Sequence, residues 1–157
     1  MRAAAVGRHF DVSIVAEVAA RPETNVCAIL ERARDLQIVV SSGSGRYSFR
    51  HALTRDIVYA ECFNGPARAL HRRIARALEK AGRRDEAALA DLAYHAWAAG
   101  DRRRTLRYNE IAGDRAAGVH ATDEARTYYT RARSSIGIGS SAYARLTEKL
   151  RALDGER

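Results

Sequence analysis

Arg50 and His51 stand side by side in "RYSFRHALTRDIVY" (46 to 59), where an alternating pattern gives way to a helical one. That placement has a chemistry. The first turn of a helix carries unpaired N–H groups and the positive end of the helix dipole, which favour an anion. An imidazole there can donate to a phosphate oxygen, and a neighbouring guanidinium adds charge. The same residues also fit a plainer role, with Arg50 solvated on a strand's outer face and His51 capping or packing. A second set lies downstream. Arg68, Arg72, Arg73, Arg76 and Lys80 share one side of a helical segment against the single acid Glu79, a face suited to phosphate or to an acidic surface.

No catalytic group emerges. The histidines are His9, His51, His71, His95 and His120, and none sits in HExxH or another metal-ligand spacing. GxSxG is absent. The glycine-bearing "SSGSG" (41 to 45) joins strand to strand and lacks GxxxxGK[ST], so it is no phosphate cradle. Cys27 and Cys62 stand 35 positions apart without a CxxC and read as reduced thiols packed as small hydrophobes. Tyr94, His95 and Trp97 read as core and edge residues of a helix. The expectation is a chain that is no enzyme by itself and holds no metal or cofactor.

The elements that would position these residues follow from periodicity. Asp11 is a candidate N-cap for a helix with Ile14, Val15, Val18 and Ala19 on one face, ended by Arg21-Pro22. A second helix from Thr24-Asn25 places Val26, Ile29, Leu30, Ala33 and Leu36 on a stripe. Ile38 to Val40, the turn "SSGSG" and "RYSFR" predict a β-hairpin with a five-residue loop, Tyr47 and Phe49 on one side. "HALTRDIVYAECF" predicts a helix burying Leu53, Ile57 and Ala60, broken by Asn64-Gly65-Pro66. The next helix, from 67 to about 82, turns Leu70, Ile74, Ala77, Leu78 and Ala81 inward. From 85 onward only helices are expected: 86 to 99, 101 to 117, 121 to 136 and 141 to 153.

Two helices, a hairpin and a helix are the parts of a winged-helix unit. Short breaks between amphipathic helices imply packed neighbours, as in an α-solenoid. Asp-Glu-Ala recurs at 85 to 87 and 123 to 125, and Gly113, Ala125, Tyr129 and Ala132 match the small and aromatic positions of a tetratricopeptide repeat. Gly137 stands where that repeat usually has proline. The fold expected is mainly α: a small winged-helix domain over 1–82, followed by an α-solenoid of tetratricopeptide-like helical hairpins over 83–157.

The 157 residues have 46% hydrophobic and 29% charged side chains, a balance that can bury a core. The net charge of +8 is uneven: residues 1 to 66 carry 8 basic and 7 acidic groups, residues 67 to 157 carry 19 and 12. No 18-residue apolar run or signal-peptide core occurs, so no membrane partner and a cytoplasmic setting are expected.

"AAAVGRHFDVSIVAEVA" (3 to 19), "RYSFRHALTRDIVYAECF" (46 to 63), "RALHRRIARALE" (68 to 79) and "YHAWAAGDRRRTLRYNEIAGDRA" (94 to 116) together resemble a segment of large bacterial signalling ATPases. These are the STAND-type, AAA-like ATPases of LuxR-type transcriptional regulators and of proteins carrying adenylate cyclase domains. In them a nucleotide-binding domain precedes a winged helix and tetratricopeptide-like repeats. The most specific part is F-R-H-A-L-x-R-D, here Phe49 through Asp56. The family's winged helix generally acts as an internal sensor and lever. Its strand-end histidine is similar to that of the Met-His-Asp motif in plant disease-resistance ATPases, which contacts the phosphate of ADP. The resemblance thus implies that His51, with Arg50 beside it, senses the phosphate of ADP held by another domain; Arg50 and Ala52 replace that motif's Met and Asp.

Walker A and B motifs are absent from residues 1–157. The chain begins where the family's winged helix begins and ends within the repeats, so the expectation is a fragment that does not hydrolyse ATP alone. The implied function is a regulatory and scaffold segment for signal transduction or transcription regulation. It relays nucleotide state from the nucleotide-binding domain of a parent ATPase and binds a protein partner or inducer through its repeats. The alternative is a free-standing winged-helix DNA-binding regulator. Residues 26 to 36 weigh against it, because Glu31 and Asp35 cancel Arg32 and Arg34 and no Asn, Gln, Ser or Thr lies there to read bases. Only weak, salt-sensitive, non-specific nucleic-acid binding is expected.

Overall fold

The computed structural model describes residues 2–62, 67–82 and 85–155; the side chains of residues 61 and 62 fall outside that description. The expected break at Asn64-Gly65-Pro66 and the Cys62 thiol therefore lie outside the described residues. The described chain is mainly helical, with nine helices and one small antiparallel sheet. It forms two compact units, Met1–Ala81 and Gly82–Arg157. None of its described helices is long and apolar enough to cross a membrane.

The first unit runs α1 (Ala3–Val6), β1 (His9–Asp11), α2 (Val12–Ala19), α3 (Glu23–Asp35), β2 (Val39–Gly43), β3 (Arg46–Phe49), α4 (Ala52–Cys62) and α5 (Ala67–Ala81). The sheet order is β1-β3-β2. Neither α1 nor β1 was expected: three residues are too few for an alternation to register. Yet β1 is what closes the sheet, pairing Phe10 with Tyr47, and its ring packs 5.5 Å from that of Phe49. Asp11 does precede α2 in an extended conformation, but its side chain makes no cap bond and pairs instead with Arg46 at 3.4 Å.

The hairpin is tighter than expected. Gly43 opposes Arg46, so the connection is Ser44-Gly45 rather than five residues, and a bulge falls between Ser41 and Gly43. Ser44 and Gly45 both have positive φ, 51° and 74°, the demand of a type I′ turn that matches the strands' twist. Tyr47 and Phe49 are buried as the alternation predicts. The core gathers Val6, Phe10, Ile14, Val18, Leu30, Val39, Phe49 and Ile74, with Cys27, a free thiol, packed at its edge. Three stripe assignments need correction. Leu36 is 72% exposed because α3 has ended at Asp35, Ile29 is also exposed, and Ala81 lies on the surface at the end of α5.

The second unit contains α6 (Glu86–Ala98), α7 (Arg102–Gly118), α8 (Thr122–Ser134) and α9 (Ser141–Gly155), each packed on the next. Asp85 and Asp101 cap α6 and α7 by accepting from the N–H groups of Ala88 and Arg104 at 3.0 and 3.1 Å. The helices approach closely because small residues line their contacts: Ala93, Ala96, Ala125 and Ala132 are fully buried. Gly113 of α7 meets the ring of Tyr129 of α8 so closely that an added Cβ would lie 2.5 Å from it. Asn109, fully buried, ties α7 to α6 by donating to the Ala93 carbonyl at 3.0 Å.

Candidate functional site

Backbone bonds fix the point where β3 becomes α4. The Phe49 N–H donates to the Arg8 carbonyl and the Arg50 N–H to the Ile38 carbonyl, both at 3.0 Å. The His51 carbonyl accepts from the Arg55 N–H at 3.3 Å, which puts His51 at the N-cap position, just before the first turn. Both side chains are exposed, and neither makes a hydrogen bond or ion pair with a described residue. A guanidinium and an imidazole thus stand in solvent beside the donor-rich end of an 11-residue helix.

The inner side of α4 is not the one expected. Arg55 donates through Nε to the Ala4 carbonyl at 3.0 Å, pairs with Asp56 at 2.9 Å and lies over the Tyr59 ring. The Tyr59 hydroxyl meets His71 Nε2 of α5 at 3.2 Å, and burial presses the His71 imidazole below its usual pKa. Leu53 and Ile57, expected in the core, are 70% and 52% exposed, and Ala60 is exposed with them. An i, i+4, i+7 stripe shows that a helix is amphipathic but not which neighbour its apolar face meets. Here Arg55, Val58 and Tyr59 take the inner side and leave that stripe uncovered within this unit. Sequence reading missed Arg55 as the anchor, although its spacing to Tyr59 is the i, i+4 of an arginine stacked on an aromatic ring.

The basic side of α5 is placed as expected. Arg68, Arg72, Arg73, Arg76 and Lys80 are all exposed, while His71, Ile74, Ala75 and Ala77 are buried. Lys80 pairs with Glu17 of α2 at 3.2 Å, and Arg73 donates to the Glu17 carbonyl at 3.4 Å. Arg68, Arg72 and Arg76 pair with no described residue. The structure joins neither Arg50 nor His51 to these cations by any bond among the described residues.

In the second unit α6 and α8 flank a groove of about 710 Å³, its lining including Ala87, Ala90, Glu86, Glu124, Tyr128 and Arg131. Arg131 lies over the rings of Trp97 and Tyr94, at 4.7 and 5.9 Å from their centroids, and both rings are part-exposed. His95, between them in sequence, is buried, so only the two aromatics and not the histidine face outward. Exposed Trp, Tyr and Arg in one patch are the residue types that most often anchor protein interfaces. Burial, with Glu124 nearby, raises the Tyr128 hydroxyl, which stays protonated. Among the described residues no group of histidine, cysteine or acidic side chains is placed to hold a metal ion. Set against family models, curated proteins and solved structures, the chain matches none of them.

Proposed function

We propose that the chain is a regulatory and scaffold segment of a STAND-type signalling or transcriptional ATPase, built as a winged helix followed by tetratricopeptide-like hairpins. One observation carries the reading. Arg50 and His51 are exposed at the N-terminal end of α4, and the same helix presents Leu53, Ile57 and Ala60 uncovered. An anion-sensing pair adjoining an apolar stripe is the surface expected where a nucleotide-holding domain docks. Such a domain supplies the Walker motifs that residues 1–157 lack; His51 contacts the phosphate of its ADP, and α4 carries the nucleotide state to the first unit. The groove between α6 and α8, with Trp97, Tyr94 and Arg131, is the surface for a protein partner or inducer. The DNA-reading alternative is disfavoured because Glu31 and Asp35 both pair with Arg34, at 2.6 and 3.6 Å, which leaves Arg32 as the one cation of α3 that pairs with no described residue.

The chain alone is expected to bind neither ATP nor ADP by calorimetry, and micromolar affinity would contradict that. In complex with a domain bearing GxxxxGK[ST], His51→Ala is expected to weaken ADP retention about 10- to 100-fold, the worth of one hydrogen bond to a charged group. Unchanged retention would remove His51 from the sensing role.

A further inference from the structure

We infer that the outer face of α5 docks on the phosphate backbone of double-stranded DNA without reading its sequence. The inference is independent of the nucleotide-sensing reading, which rests on α4. Arg68, Arg72 and Arg76 recur every four residues, so their guanidinium groups form one row with steps of about 6 Å along the axis. Lys80 continues that row by one more step and Arg73 widens it, and both already lean on Glu17. The three arginines of the row pair with no described residue.

The helix does not gain from this arrangement. Like charges four residues apart repel, and Arg68 sits in the first turn, which has no acidic residue and where the dipole disfavours a cation. A face whose charges oppose their own helix is a local inconsistency of the kind found at functional surfaces. A polyanion removes it.

The composition of the face selects the occupant. No large apolar side chain is exposed on α5, and its apolar side is turned into the unit's core. Protein interfaces are anchored by desolvated apolar and aromatic groups, which this face lacks. A lipid surface likewise holds a helix through buried apolar residues. A phosphate backbone asks only for cations, and guanidinium groups can grip its oxygens two at a time. Sequence independence follows because backbone contacts carry no base information.

The test uses fluorescence anisotropy with the whole chain and a labelled DNA duplex of about 25 base pairs, repeated with a second duplex of unrelated sequence. Three to five phosphate contacts predict that affinity falls about 40- to 500-fold between 50 and 200 mM salt, equally for both duplexes. The triple variant Arg68→Gln, Arg72→Gln, Arg76→Gln is expected to lower the log–log salt slope by about 2.7, while the matching lysine triple keeps it. A control removes the same charge elsewhere, at the exposed Arg8, Arg32 and Arg103, and is expected to keep nearly the wild-type slope. Circular dichroism confirms that each variant is folded. Equal losses in the α5 and control triples would reduce the effect to net charge and overturn the inference. So would no binding at 50 mM salt, or a strong preference for one duplex. Binding instead to an acidic protein, abolished by the α5 triple while DNA binding is untouched, would assign the face to that partner and also overturn it.

Discussion

Gly113→Ala is expected to lower the unfolding temperature of the second unit by roughly 5–15 °C, against the usual benefit of alanine in a helix. The added Cβ would lie 2.5 and 2.6 Å from two ring carbons of Tyr129, a separation that real Cβ atoms do not tolerate. The ring has little freedom to retreat. Tyr129 is 3% exposed, its hydroxyl donates to Asp114 at 2.7 Å, and Ala125 and Ala132 beside it on α8 are fully buried. Overpacking of this kind costs about 1–3 kcal/mol, and alanine's helix preference returns at most about 1 kcal/mol of it. The decisive measurement is a double-mutant cycle. In a Tyr129→Val background the ring is gone, and Gly113→Ala is expected to become stabilising by up to about 1 kcal/mol. An equal loss in both backgrounds would mean that something other than the ring demands glycine.

That pair also shows what kind of information a sequence carries. Gly113, Ala125, Tyr129 and Ala132 were legible from residue size alone, because close helix packing needs small residues at fixed intervals. The helices of the second unit were legible for the same reason: each has its break and two have an aspartate cap. The first unit was legible where periods are long and opaque where they are short. The three residues of β1 left no alternation to detect, so the third strand was missed. The hairpin was recognised, but its loop length depended on which of five turn-forming residues pair across strands, a matter of register rather than composition.

The face of α4 was read backwards for a different reason. Its apolar stripe is real, yet the helix is held by an arginine reaching the Ala4 carbonyl, 51 positions away in sequence, and by a tyrosine reaching His71. No local pattern encodes such a partner. The candidate site was more legible than the helix that presents it. Arg50 and His51 were placed at a strand-to-helix junction by the change of period, and the junction stands there. The groove between α6 and α8 was not legible, since Glu86, Glu124 and Arg131 converge only once three helices are stacked. The ion network on α7 and α9 escaped notice too, because Glu110 finds Arg145 and Lys149 across 35 and 39 positions.

That network should make the second unit's stability depend on acid in a defined window. Arg145 grips Glu110 through two bonds, at 2.8 and 2.9 Å, and Lys149 bridges Glu110 and Asp114 at 3.0 and 2.6 Å. The hydrogen bond from Arg145 is the main reason that the Glu110 carboxyl is held at about 2; burial opposes it, and Lys149 adds to it. Burial presses the Lys149 ammonium down, but its bonds to Asp114 and Glu110 outweigh that and leave it above its usual value. A carboxyl whose folded pKa lies below its unfolded value of 4.5 contributes stability that is complete above that value and lost as pH falls toward about 2. Glu110→Gln is therefore expected to cost about 1–3 kcal/mol at pH 7, the worth of hydrogen bonds to charged partners that are only partly exposed. The gap between wild type and variant should narrow steadily below pH 4.5 and nearly close by pH 2, since acid has by then done to the wild type what the substitution did to the variant. Urea unfolding at pH 7, 4 and 2.5 reads this directly. A gap of constant size across the three pH values would show that Glu110 acts through packing, and that Arg145 and Lys149 contribute nothing through their charge.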